Sequence, residues 1–229
     1  MVFVGLSLSL IWKQDPEILN LSRKNLTQIP AYVFDMKELR VLKLYGNQLD
    51  SIPKEIGQLK KLEKLYLGKN KLKTLPKEIG ELSALTWLSV PYNQLEILPE
   101  EMGKLENVEQ IWMQQNRLQS LPESFGHLKK LQFLNLGFNQ LTELNNNLGN
   151  CQSLQFLYLN NNQLTRLPDS LGSVKTLKEL YLVQSGPLLD VPESFCKIRN
   201  LELLDIDQTI ALPPCLYVLK ANRLRIVTH

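Results

Sequence analysis

The chain has 229 residues, with 26 basic against 23 acidic side chains and a net charge of +3, a balance too even to point to nucleic acid or an anionic membrane as the partner. Its length fits one or two ordinary globular domains. Three scattered cysteines, Cys151, Cys196 and Cys215, are too few for a disulfide scaffold and favour a reducing compartment.

The first stretch, Met1 to Trp12, is apolar, but it lacks a basic start and an A-x-A-like cleavage site and is too short to span a bilayer. Val4, Leu6, Leu8 and Leu10 alternate with Gly5, Ser7 and Ser9, the period of a half-buried strand. Residues 1–15 are therefore read as an N-terminal cap strand that covers the first apolar layer, with Trp12 helping. The competing reading is a secretory signal peptide, which would place the protein outside the cell.

From about Pro16 a pattern sets in. Leu19, Leu21, Leu26, Ile29, Pro30, Val33 and Met36 form a first, worn unit with Lys24 in a slot that later units give to Asn. Asn20-Leu21-Ser22 and Asn25-Leu26-Thr27 are formal glycosylation sequons, read as chance matches in an Asn-rich repeat. Regular units then start at Leu39, Leu62, Leu85, Val108, Leu131 and Leu154, a period of 23, with Asn47, Asn70, Asn93, Asn116, Asn139 and Asn162 in register. The unit Leu62–Leu82 shows the pattern in full: leucines at 62, 65, 67, 72 and 75, then Asn70, Pro76, Ile79, Gly80 and Leu82.

In Leu65-Tyr66-Leu67 the side chains alternate, so the leucines point inward and Tyr66 outward. One such unit cannot bury its own leucines, whereas stacked units share a continuous apolar column. Asn70 is placed to bond backbone groups that no strand ladder satisfies. Gly57, Gly80, Gly103, Gly126, Gly149 and Gly172 recur where a short helical turn is expected to reverse without a side chain in the way. Asn145 stands where neighbouring units have proline, and Asn145-Asn146-Asn147 can take left-handed turns, so the chain is expected to look different there.

The L-x-x-L-x-L-x-x-N-x-L core with a trailing L-P-x-x-[ILF]-G-x-L resembles the 23-residue class of leucine-rich repeats, as in intracellular Ras-group proteins, Scribble, Erbin and many bacterial proteins. The resemblance covers roughly residues 16–219. It implies an α/β fold: a right-handed leucine-rich-repeat solenoid, or horseshoe, of about nine coils, with a parallel concave β-sheet and short helical turns or loops on the convex side. The Cys-rich caps usual in extracellular members are missing.

Past Leu177 the pattern loosens. That unit has an extra residue within Gln184 to Leu189, and Ser185 replaces the asparagine, so a bulged turn is expected. A last unit from Leu201 shortens before Pro213-Pro214, and residues 220–229 are read as a C-terminal cap strand around Arg223 to Val227. Cys196 and Cys215 fall on the convex side of neighbouring coils, and whether they pair is left open. Cys151 takes a leucine slot as a small buried hydrophobe.

Catalytic constellations are hard to assemble with two histidines, His127 and His229, and there is no Walker or dinucleotide glycine motif. No cofactor or metal is expected, nor an enzymatic activity. The concave face carries something that the repeat does not require: Tyr45, Tyr66, Trp87, Tyr92, Trp112, Phe133, Phe138, Phe156, Tyr158 and Tyr181 occupy outward slots. A contiguous aromatic stripe on an open sheet marks a binding site. Arg40, Lys43, Lys64, Lys69 and Lys71 lie toward the first coils, and Glu179, Asp205 and Asp207 toward the last. The expectation is a cytoplasmic module that binds a protein partner through this face; the resemblance implies a small GTPase or another signalling protein. The alternative is a secreted protein of innate immunity that binds microbial glycan or lipid.

Overall fold

The computed structural model describes residues 17–188 and 190–229, so the cap strand expected in residues 1–15, and Trp12 with it, lie outside the described residues. Among the described residues ten short parallel strands form one open sheet in strict chain order. They are β1 (Ile18–Asn20), β2 (Val41–Lys43), β3 (Lys64–Tyr66), β4 (Trp87–Ser89), β5 (Gln110–Trp112), β6 (Phe133–Asn135), β7 (Phe156–Tyr158), β8 (Glu179–Tyr181), β9 (Leu203–Ile206) and β10 (Arg225–Thr228). Each pairs with its sequence neighbours in the register that the repeat dictates, Lys64 beside Trp87 and Tyr66 beside Ser89. The chain is a right-handed solenoid, as parallel crossovers require.

The middle residue of each strand faces inward. Leu42, Leu65, Leu88, Ile111, Leu134, Leu157, Leu180 and Leu204 are fully buried and belong to one continuous core. Five-residue 3-10 turns, from Ala31–Asp35 to Glu193–Lys197, close the convex side of the coils that start with β1 to β8. Proline precedes most of them in an extended conformation that sets the entry to the turn, as at Pro76 with φ −69°.

The asparagines form the expected ladder. Asn93 Oδ1 accepts from the Leu72 N–H at 3.0 Å, while Nδ2 donates to the carbonyls of Leu67 at 3.0 Å and Val90 at 3.2 Å. The side chain thus ties its own coil to the preceding one and satisfies backbone groups buried between them.

Three expectations are corrected or sharpened. The convex glycines do keep a side chain out of the way, and what they make room for is the next coil, which presses on them. A β-carbon at Gly80 would lie 2.2 Å from the carbonyl oxygen of Glu101, and one at Gly172 would lie 2.4 Å from that of Ser194. Asn145 does not alter its coil: at φ −71° and ψ 153° it copies the proline conformation and precedes an ordinary 3-10 turn, Asn146–Asn150. Its Nδ2 donates to the carbonyls of Leu121 and Pro122, both at 3.0 Å, so the amide fastens what a proline ring would only preset. Third, a helix that the repeat pattern did not announce, α1 (Pro214–Asn222), spans residue 219, where the repeat region was expected to end.

The C-terminal coils depart from the rest. Ser185 is fully buried with its hydroxyl unpartnered, and its backbone carbonyl accepts from the Leu164 N–H at 2.6 Å, the bond that an asparagine Oδ1 makes elsewhere. Gly186, at φ +126°, packs so closely on Leu164 that only glycine fits. Cys196 occupies the convex glycine slot and is joined in a disulfide to Cys215 of α1, with the α-carbons 5.7 Å apart. Cys151 is buried as expected, its thiol donating to the Phe125 carbonyl at 3.1 Å. Burial pushes that thiol up to about 12.

Candidate binding face

The first and third residues of each strand project from the concave side, and the parallel register aligns them into two columns running across the sheet. Large rings alternate between the columns. Tyr66 and Trp87 have centroids 6.1 Å apart, Trp87 and Trp112 5.7 Å, and Trp112 and Phe133 4.1 Å. Phe133 then meets Phe156 at 6.2 Å and Tyr158 at 5.2 Å, and Tyr158 stacks on Tyr181 at 4.2 Å with the planes 9° apart. The strand spacing of about 4.8 Å brings large side chains of adjacent strands into contact both within a column and diagonally across to the other, so the rings form one ladder from β3 to β8. All are half-buried. Where rings stack, Trp87 on Trp112, Trp112 on Phe133 and Tyr158 on Tyr181, their faces are covered and the ladder presents mainly edges and hydroxyls to the cavity of the horseshoe.

Three of the ten aromatic residues lie elsewhere. Tyr45 follows β2 by two residues, between cations: Lys69 Nζ is 5.7 Å and the Arg23 guanidinium 6.0 Å from its ring centroid. Tyr92 and Phe138 are not in outward strand slots as expected. They occupy the turn before the ladder asparagine, with φ of +56° and +57°, and are 49% and 46% exposed on the rim. The same slot has positive φ in Lys69, Gln115, Asn161 and Gln184, so the bend belongs to the repeat and not to these two side chains. The twist of the chain past the strand end, invisible in a period-two alternation, moved them off the face.

The charges are arranged more firmly than the sequence suggested. Arg40 lies one residue before β2, on the rim, held between Glu17 at 3.5 Å and Glu63 in a shorter ion pair. The Glu63 carboxylate, by hydrogen bond and charge, holds the guanidinium above its usual range. Lys43 extends over the Tyr66 ring, with Nζ 5.9 Å from the centroid, and Lys64 is exposed in the other column. Glu179 accepts from the Tyr181 hydroxyl at 2.8 Å. Burial first, and then Glu179 and Tyr158, hold the Tyr181 phenol well above its usual value. Asp205 pairs with His229 at 2.8 Å, and Asp207 accepts from the Gln184 N–H at 2.9 Å. Sequence reading missed Arg23 and His229; Arg23 could have been found, since it stands 46 residues before Lys69 in the same repeat slot.

Among the described residues no three His, Cys, Asp or Glu side chains gather in a cluster that could hold a metal, and no helix is long and apolar enough to cross a membrane.

The family model described as leucine-rich repeat region matches residues 17–145, and a second, leucine rich repeat, matches residues 153–174. No curated protein matches the chain. Solved structures do. An internalin from Listeria monocytogenes aligns over 92% of this chain and 60% of its own, with a TM-score of 0.77 at 18% identity, a likeness of fold alone. A TDR receptor aligns over 92% of this chain and 42% of its own, with a TM-score of 0.73 at 25% identity. The Arabidopsis receptor kinase HAESA, in complex with the peptide hormone IDA and the co-receptor SERK1, aligns over 88% of this chain and 35% of its own, with a TM-score of 0.75 at 28% identity. The chain thus spans less than two thirds of the length of each.

Proposed function

Because the chain belongs to the leucine-rich-repeat family, commonly a protein-interaction module, we propose that it is a non-enzymatic binding protein whose concave face receives a protein partner. The observation that carries this reading is the unbroken ring ladder from Tyr66 to Tyr181. A core already filled by leucine has no need of it, and half-buried aromatic side chains are the residue type that dominates interface energetics. The HAESA complex, with its peptide hormone and co-receptor, is a precedent for a polypeptide partner in a similar fold.

The face suits a polypeptide better than a glycan. Sugars stack on the open faces of aromatic rings, and here Trp112 is covered by Phe133 and Tyr158 by Tyr181. What remains are edges, hydroxyls and flanking charges, which match side chains and backbone amides. The Cys196–Cys215 disulfide supports an oxidising compartment, and with it the secreted setting in preference to a cytoplasmic signalling role beside a small GTPase.

The test is affinity capture from the native source with wild type, a Trp112→Ala/Tyr158→Ala variant and a convex control, Lys77→Ala/Glu78→Ala. The concave pair should lose at least about tenfold in affinity, since one hot spot of about 2 kcal/mol exceeds the 1.4 kcal/mol that a factor of ten requires. The convex control should bind as wild type. The opposite result moves the site to the outer side.

A further inference from the structure

Four charges on the concave face are placed antisymmetrically about the middle of the sheet, with Arg225 of β10 outside the pattern. Number the strands from either end and the pairs meet: β2 corresponds to β9, β3 to β8, β4 to β7 and β5 to β6. Lys64 opens β3 and Glu179 opens β8, in the same column; Lys43 closes the outward pair of β2, and Asp205 holds the same place on β9. Val41 corresponds to Leu203, Tyr66 to Tyr181 and Trp87 to Phe156, while toward the middle a polar residue meets an aromatic one, Ser89 with Tyr158, Gln110 with Phe133 and Trp112 with Asn135.

We propose that the partner which fits this face is a second copy of the chain, docked face to face with the order of its coils reversed. A two-fold axis along the strand direction, between β5 and β6, keeps each residue's position along its strand while reversing strand order. Lys64 of one copy then faces Glu179 of the other, and Lys43 faces Asp205, each contact occurring twice, as an isologous interface demands. Facing the two sheets about the solenoid axis would instead bring basic end onto basic end and acidic onto acidic, which is repulsive. Side-chain size follows the same symmetry. Two concave faces stand farthest apart at the middle, where Trp112 and Phe133 project, and approach at the ends, where Val41 and Leu203 are shorter.

The interface is small. Strands β2 to β9 at about 4.8 Å, by about 10 Å for a three-residue strand, give roughly 340 Å² per copy and about 700 Å² in all, below the size of a stable contact. The dimer is therefore a weak, transient one. Its flanking ion pairs are solvent-accessible and weaken with salt.

The inference rests on the concave face being the binding face, and sedimentation of the intact, oxidised chain from micromolar to hundreds of micromolar separates the two. Wild type should pass from monomer to dimer. Lys64→Glu and Glu179→Lys should each weaken association at least about tenfold, because each introduces two like-charge contacts, and the double exchange Lys64→Glu/Glu179→Lys should restore it. Lys43→Glu with Asp205→Lys provides an independent pair should Glu179→Lys disturb Tyr181. Circular dichroism confirms that each variant folds. A wild type that stays monomeric throughout overturns the self-partner while leaving concave-face capture of another protein standing. A dimer that ignores both charge exchanges, or survives Trp112→Ala/Tyr158→Ala, forms through another surface and overturns it too.

Discussion

The coils from β2 to β7 and the coils after them solve the same two problems with different atoms. In the regular coils an asparagine amide satisfies the backbone between layers, and a glycine lets the next 3-10 turn come close. After β8 the bulge at Gly186 swings the Ser185 carbonyl into the place of the amide oxygen, and Cys196 takes the glycine slot. The next coil there carries a helix in place of a 3-10 turn, so a β-carbon fits and its sulfur reaches Cys215. A slot in this repeat is therefore not a property of its own coil. It is a condition that the following coil imposes.

The sharpest way to break the comparison is to place alanine in both convex slots. Gly172→Ala should cost about 3 kcal/mol or more, read as a shift of the urea midpoint, because the new carbon lies against the Ser194 backbone, which cannot yield without moving a coil. Cys196→Ala brings no clash. With Cys215→Ala it should cost between about 2 and 3 kcal/mol through loss of a cross-link over a separation of 19 residues, and the loss should be confined to the C-terminal coils in hydrogen exchange. Equal and global losses for both variants would mean that the slots are equivalent after all.

A milder contrast lies in the ladder. Asn93→Ala leaves the Leu72 N–H unpaired, takes one of two amide donors from the Leu67 and Val90 carbonyls, and should cost about 2 kcal/mol. Ser185→Ala removes a hydroxyl that bonds nothing and should stay within about 0.5 kcal/mol of wild type in the same denaturation. A costly Ser185→Ala would show that the hydroxyl, and not the bulged carbonyl, carries the ladder across that coil.

An effect absent at neutral pH concerns Cys151, whose thiol burial raises from 9.0 to about 12. The fold favours the protonated thiol, so its contribution is complete below about pH 9 and is lost as pH rises toward 12. Stability of the wild type should decline more steeply above pH 9 than that of Cys151→Ala, and parallel pH profiles would remove the thiol from the account.

The repeat period alone determined the parallel sheet, the inward leucines, the asparagine ladder and the strands on which the rings sit. Each of these depends on residues at a fixed spacing meeting their own copies one coil away, so a one-dimensional pattern is enough. The stripe Trp87, Trp112, Phe133, Tyr158 was legible for the same reason. Only the tertiary structure decided that the rings cover one another's faces, that Tyr92 and Phe138 leave the strand for the rim, and that Arg40 is held between Glu17 and Glu63. It also decided the reason for the convex glycines, the proline-like bearing of Asn145, helix α1 and the Cys196–Cys215 bond. These depend on how one coil's backbone approaches the next, at distances where a few tenths of an ångström separate contact from clash, and the spacing of letters in a sequence carries no measure of that approach.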